Sequence, residues 1–392
     1  MKDNLLTRSA WIEIDLQALR ENFANIRALL PPAMQIVAVV KANAYGHGAV
    51  QVAQCLLAEG ASRLAVATLD EALELRAAGI DAPIMLLGAC GNAPEVWRLA
   101  AAEQIIVPLY SLAMAEQASR AAQAEGRPLP AQLVLDSGMG RIGMQPTAEA
   151  VQEALAIARQ PGLRLEGMFS HFAAADELDK SHSERQLAVY QQFAAALAAA
   201  GLELPLLNIA NSAALMEMPA ARLGMVRAGI ILYGYYPSAE VERGLLRLRP
   251  VLSIKAHLTH IKWVPAGTPI SYGCTFVTDR PSLIGTVPVG YADGWRRALS
   301  NRGQVLLAGR RAPIVGRVCM DQFMVDLTGV AAQTGMDAAA LAAEEVVLLG
   351  EQGGERIDAE EIAVRLDTIS YEVLSALLPR LPRIYLNSAK NS

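Results

Sequence analysis

The chain has 392 residues, 53% of them hydrophobic, and its 34 basic and 39 acidic residues leave a formal net charge of −5. This is enough apolar material for large cores and enough length for two domains, which excludes a disordered chain, and no basic run exists to track nucleic-acid phosphates. The four cysteines, Cys55, Cys90, Cys274 and Cys319, form no CxxC pair and no histidine stands at metal-ligand spacing, so neither a disulfide framework nor a metal site is expected.

The opening MKDNLLTRSAWIEIDL has no apolar core of signal-peptide length, and no stretch of about 18 apolar residues could span a bilayer. A soluble, cytoplasmic protein is expected. From residue 35 to about 226, short aliphatic runs alternate with alanine-rich stretches of helical spacing. The runs are IVAVV (36–40), LAVAT (64–68), PIMLLG (83–88), IIVPLY (105–110), QLVLD (132–136), LRLEGMF (163–169), LLNIA (206–210) and a weaker GMV (224–226). The helical stretches end at Gly79, Gly126 and Gly201, where glycine accepts a left-handed C-cap most easily. Eight such units predict an α/β fold, a closed (βα)8 barrel over residues 1–246 whose working face is the C-terminal ends of its strands.

Beyond about residue 247 the pattern changes to alternating segments, SIKAHLTHIKWV, SLIGTVPVGYAD, QVLLAGRRAPIVGRV and FMVDL, separated by Pro, Gly and Asp turns. These predict a mainly antiparallel β domain over 247–392, closed by the helical DAEEIAVRLD and by SYEVLSALLPRLPRIYL. The alanine clusters near Ala194 and Ala338 read as helix.

Polar residues just past the predicted strands form a set on one rim. Lys41 and Tyr45 follow the first strand; Asp136, Ser137 and Arg141 follow the fifth, in DSGMGRIG. His171 follows the sixth, Asn211 and Ser212 the seventh, and Arg227, Gly229 and Ile230 the eighth. Singly, Lys41 reads as a snorkelling amine, Ser212 as a helix cap and His171 as a core histidine. Together, an amine, two guanidiniums, an aromatic hydroxyl and a glycine turn suit an anionic, aldehyde-bearing cofactor. Pyridoxal 5′-phosphate fits, with the lysine forming an imine.

The motifs VVKANAYGHG, DSGMGRIG, SHFAAADE, NSA, VRAGIILYG, SYGCTF, VGYADGW, GRVCMDQFMVDL and SYEVLS run nearly end to end, and through them the sequence resembles the bacterial alanine racemase family. The resemblance implies a pyridoxal-phosphate enzyme that interconverts L- and D-alanine by two-base proton transfer on the external aldimine. It implies that Lys41 carries the cofactor, that Tyr45, Ser212, Gly229, Ile230 and Tyr371 hold its phosphate, and that Arg227 faces the pyridine nitrogen. Arg141 matches the position beside the phenolic oxygen and the substrate carboxylate. Tyr272 matches the second base, His171 the residue that orients it, and Met320, with Cys319 and Asp321, the loop that meets the substrate carboxylate. Tyr291, Asp176, Arg297, Arg317 and Ile369 match positions lining the access channel. Because Tyr272 and Met320 come from the neighbouring subunit in that family, a homodimer with shared sites is implied.

Removing a Cα proton from one face and returning it to the other needs two opposed acid/base groups, which the resemblance assigns to Lys41 and Tyr272. A phenol is a weak base at neutral pH, so a cationic arginine and histidine network is expected beside it. Two positions depart from the family pattern. Val134 stands where many members carry a carbamylated lysine that braces the arginine matched by Arg141, and Asn208 stands where a histidine often supports the arginine matched by Arg227. A broader-specificity racemase acting on serine or longer side chains is the nearest alternative. A decarboxylase of the same architecture would put a carboxylate where Arg227 stands, and a lone-barrel cofactor carrier would lack the second domain.

Overall fold

The computed structural model describes residues 8–91 and 93–388. The first seven residues, part of the segment read as lacking a signal peptide, lie outside the described residues. The chain divides into two compact units, residues 18–249 and residues 1–17 with 250–392. Strand β1 (Ala10–Asp15) belongs to the second of these, whereas the sequence reading gave it to the barrel.

Eight parallel strands build the first unit: β2 (Gln35–Val39), β3 (Arg63–Val66), β4 (Ile84–Leu86), β5 (Val107–Leu109), β6 (Leu129–Val134), β7 (Leu163–Phe169), β8 (Leu206–Asn208) and β9 (Met225–Ala228). They run as β4-β3-β2-β9 and β5-β6-β7-β8. A bridge between Met85 and Ile106 joins β4 to β5, and Gly224 N–H donates to Leu207 O (3.0 Å) between β8 and β9. The sheet therefore closes on itself as a (βα)8 barrel. Most of its strands are buried on both faces, with the first half of β7 and the start of β8 only partly so, which explains why most of them read as continuous aliphatic runs rather than alternating ones. Gly79, Gly126 and Gly201 all take positive φ at helix ends. The predicted cap at Ser212 is displaced by one residue: Asn211 caps the helix Ser212–Glu217 by accepting from Ala214 N–H (3.1 Å).

In the second unit the strands are β1, β10 (Leu252–His257), β11 (His260–Val264), β12 (Pro269–Ile270), β13 (Phe276–Val277), β14 (Ser282–Val287), β15 (Gln304–Leu307), β16 (Arg310–Val315), β17 (Phe323–Asp326), β18 (Glu345–Gln352), β19 (Glu355–Ile357) and β20 (Arg383–Leu386). The main sheet runs β11-β14-β17-β16-β15-β18-β10-β1-β20, antiparallel throughout except where β20 pairs parallel with β1. Val264, Ile270, Ile284 and Val315 pack with Phe276 and Met324 into one of its apolar clusters. No helix among the described residues is long and apolar enough to cross a membrane.

Candidate active site

A cavity of about 240 Å³ opens in the barrel unit, lined by Lys41, Arg141, His171, Arg227, Val134 and Phe169 among others, with no carboxylate in its wall. Lys41 directly follows β2 and Val40, so the strand delivers its amine to this face. Burial first, then Arg141 and Arg227, hold its pKa below the ordinary lysine value, while Glu71 opposes them. A lysine so placed keeps more neutral amine at neutral pH than a solvated one does.

The backbone after Lys41 is strained. Ala42, Asn43, Ala44 and Tyr45 all take left-handed φ of 52–53°, which costs about 1–2 kcal/mol per non-glycine residue. The sequence reading treated this stretch as an ordinary loop, because nothing in alanine signals a positive φ. The turn is tied down from several sides. Ala42 N–H donates to Glu71 Oε1 (2.6 Å), Ala49 N–H to Asn43 Oδ1 (2.8 Å), and Gly46 N–H to Ala42 O (3.0 Å). It ends by setting Tyr45 against Tyr233, whose ring centroid lies 4.9 Å away.

Tyr45 meets Ser212 and Gly229 at one spot. A Cβ added to Gly229 would stand 3.0 Å from the Tyr45 hydroxyl and 3.4 Å from Ser212 Oγ. Gly229 N–H donates to Ser212 Oγ (3.0 Å), which leaves the Ser212 hydroxyl proton for another acceptor. Burial pushes the Tyr45 phenol well above its ordinary pKa, so it stays a donor. Ile230 follows directly, buried in a short 3-10 turn. This cradle of two hydroxyls beside a glycine fits a phosphate, and the cationic cavity fits the rest of an anionic ring cofactor.

Arg227 is 2% exposed and its charge faces only neutral acceptors. It donates to Asn208 Oδ1 through a very short bond, to Ser170 O (2.7 Å) and to Ile209 O (3.1 Å), and its Nη2 lies 3.2 Å from His171 Nδ1. Burial lowers its pKa to about 10. The amide of Asn208 is held in turn by Gln132 Oε1 (3.1 Å) and Met168 O (3.3 Å). His171 is driven well below the ordinary histidine pKa by burial and by Arg227, Arg141 and Lys41. Its Nδ1 must accept from Arg227, so the proton of the neutral ring sits on Nε2. Within this cavity the histidine is therefore neutral, and the positive charge beside it comes from Arg227, Arg141 and Lys41. Gln186 fixes the His171 loop, donating to His171 O (3.0 Å) and accepting from Ala173 N–H (2.9 Å). Sequence reading missed it, because a glutamine within helix Ser181–Ala199 carries no motif. Val134 places only an apolar wall near Arg141. Asp176 stands beyond His171, its carbonyl accepting from Ser238 Oγ (2.6 Å).

Described by itself, the second unit collects the remaining expected residues. Tyr272 is 74% exposed, Ile369 60%, Met320 52% and Tyr291 41%. The loops carrying them are joined: Tyr291 N–H donates to Cys319 O and Ala292 N–H to Met320 O, both at 3.0 Å, and Ser271 Oγ donates to Arg317 O (2.7 Å). Gly290 lies so close that a Cβ there would sit 2.2 Å from Met320 O. Asp293, fully buried in the same turn, is gripped by Arg8 through two bonds of 2.5 and 2.6 Å. Arg380 reaches from Asp293 (3.4 Å) to Asp321 (2.7 Å). Arg297 is exposed in a short 3-10 turn, and Tyr371 stands in helix Ser370–Ser375 directly after Ile369.

The sequence profile of the alanine racemase N-terminal domain matches residues 14–237, and that of the alanine racemase C-terminal domain matches 251–385. The chain is 45% identical to an alanine racemase of Desulfosudis oleivorans, over 98% of each chain. Among solved structures it resembles an alanine racemase of Clostridium difficile 630, with a TM-score of 0.91 and 41% identity, covering 97% of this chain and 96% of that one. It also resembles an alanine racemase from Bartonella henselae with covalently bound pyridoxal phosphate, with a TM-score of 0.82 and 30% identity, covering 96% of this chain and 99% of that one.

Proposed function

The chain belongs to the alanine racemase family, whose members depend on pyridoxal phosphate and interconvert L- and D-alanine, and from that premise we propose how its own residues divide the work. Lys41 carries the cofactor and serves as one base; the partner subunit's Tyr272 serves the opposite face. Bound pyridoxal phosphate supplies an electron-withdrawing ring that acidifies the substrate's Cα–H.

Tyr45, Ser212, Gly229 and Ile230 would hold the phosphate, joined by Tyr371. Arg227 would face the pyridine nitrogen and, because a guanidinium holds its protons more tightly than a pyridinium does, would donate a hydrogen bond to that nitrogen without protonating it. Arg141 would take the substrate carboxylate. His171, neutral and with its proton on Nε2, orients the partner subunit's Tyr272 while Arg227 supplies the positive field behind it. Met320 contributes to binding the substrate carboxylate, and Tyr291, Arg297, Arg317, Ile369 and Asp176 line the access channel.

The observation that carries this division is the partition of the groups. The barrel unit holds one amine base, the cations and the phosphate cradle, while Tyr272 and Met320 stand exposed on the other unit. We read the assembly as a head-to-tail homodimer in which each barrel mouth is completed by the partner, functioning in the cytoplasm, a setting that suits the four free thiols.

Mixing tests this directly. Lys41→Ala and Tyr272→Phe proteins, each inactive alone, are dissociated and recombined in equal amounts. Shared sites give a mixed dimer with one intact site, restoring about a quarter of wild-type activity; no recovery on mixing would refute the shared-site reading.

A further inference from the structure

We propose that Glu71 is the positioning residue of Lys41: its carboxylate ties the strained turn Ala42–Tyr45 to the start of helix Leu69–Ala77 and thereby fixes where the Lys41 amine stands. The proposal rests on the reading that Lys41 carries the cofactor.

Both oxygens of this carboxylate are in use. Oε1 accepts from Ala42 N–H at 2.6 Å, while Oε2 accepts from Ala67 N–H at 2.7 Å and from Thr68 N–H at 3.2 Å. Ala67 and Thr68 follow β3 directly, and Ala42 stands three residues past the end of β2, so one side chain staples two neighbouring strand ends at the rim of the barrel. Ala67 also lines the cavity that holds Lys41. In its own helix, Glu71 serves as the third residue of a capping box with Thr68. A capping glutamate needs only one of its oxygens for that duty. The second oxygen goes to Ala42, the first of four consecutive non-glycine residues in the left-handed region. Such a conformation persists only where the surroundings over-determine it, and it clusters at functional sites. Among the described residues, Glu71 is also the anion that acts on Lys41, opposing burial, Arg141 and Arg227.

The staple needs a carboxylate. Glutamine has a single acceptor oxygen, so it would turn an amide N–H2 against either the Ala42 or the Ala67 N–H. Aspartate is one methylene shorter. If the role is to hold a strained turn, then relieving the strain should replace the staple in part, because glycine accepts left-handed φ without a Cβ penalty.

Apoenzymes of the wild type, Glu71→Gln, Ala42→Gly, the double variant and Thr68→Ala are titrated with pyridoxal 5′-phosphate, and binding is followed by absorbance. Glu71→Gln should bind about tenfold more weakly, the scale expected for losing a hydrogen bond to a charged group. Ala42→Gly in that background should recover at least half of the loss on a logarithmic scale, and Thr68→Ala, which breaks only the helix cap, should bind like the wild type. Binding of Glu71→Gln within twofold of wild type overturns the proposal; so does a loss that Ala42→Gly fails to relieve, or one that Thr68→Ala reproduces. Hydrogen exchange on the wild-type holoenzyme needs no variant to fold: the Ala42 amide should be strongly protected although its side chain is exposed, and rapid exchange there overturns the staple. A wild-type protein that takes up no pyridoxal phosphate would refute the reading of Lys41 itself.

Discussion

Asn208→Leu isolates the neutral brace behind Arg227. The substitution keeps the branched four-atom shape of the side chain, so no cavity opens, but it removes the acceptor of Arg227 Nη1 and leaves Gln132 Oε1 without its donor. Losing a hydrogen bond to a charged group costs about 1.5–3 kcal/mol, and Arg227 has no carboxylate to fall back on, only Ser170 O, Ile209 O and His171 Nδ1 around Nη2. A barrel unit of this size shifts by about 2–4 °C per kcal/mol, so a fall in melting temperature of roughly 3–12 °C is expected for the apoprotein. Asn208→Asp changes the sign. A carboxylate against a buried guanidinium whose pKa is lowered to about 10 would raise that pKa again and relieve the uncompensated charge. The Asp variant should therefore melt well above the Leu variant while turning over more slowly, because it weakens the positive field that Arg227 directs at the site. Differential scanning calorimetry of the three apoproteins, paired with racemisation rates, reads both effects. A Leu variant within about 1 °C of wild type, or an Asp variant less stable than the Leu variant, would refute the reasoning.

Three further outcomes are expected. His171 is held neutral in the fold, with its pKa well below the ordinary 6.5, so its contribution to stability is complete above that value and is lost as pH falls from 6.5 toward the folded pKa. His171→Gln should flatten this acid limb of the melting curve, and unchanged pH slopes would contradict the assignment. Gly229→Ala puts a methyl 3.0 Å from the Tyr45 hydroxyl, on a ring packed against Tyr233 and unable to yield. Apoprotein stability should fall by about 1–3 kcal/mol from the overpacking, and pyridoxal phosphate affinity should drop about tenfold or more; an unaltered affinity would argue against the cradle. Arg380→Gln frees Asp321 from its bridge to Asp293. Steady-state kinetics should show a KM for alanine raised a few-fold with kcat nearly constant, and a fall confined to kcat would exclude a role in holding the Met320 loop.

The barrel was legible because most of its strands are buried on both faces, so most appear as aliphatic runs without alternation. Pro108 did not hide β5, because the flanking Val107 and Leu109 still pair in register with β6. Strand β1 was misplaced because its partners, β10 and β20, lie more than 200 residues away in the chain, and the local sequence AWIEID says nothing of that pairing. Residues that act through charge and type, such as Lys41, Arg141 and Arg227, could be picked out at strand ends. Those that act through backbone geometry could not. The left-handed turn at Ala42–Tyr45 leaves no mark in its composition, and without it the second oxygen of Glu71 has no visible purpose. The neutral state of His171 likewise follows only once Arg227, Arg141 and Lys41 are seen to share its cavity.

The central claim is that two bases, Lys41 and the partner subunit's Tyr272, serve opposite faces of one substrate carbon. It is tested most directly by following the exchange of Cα protons for solvent deuterium from each alanine enantiomer with Tyr272→Phe. The expected result is a far greater loss of exchange from L-alanine than from D-alanine, whose proton Lys41 still reaches. Equal losses from the two enantiomers would contradict it.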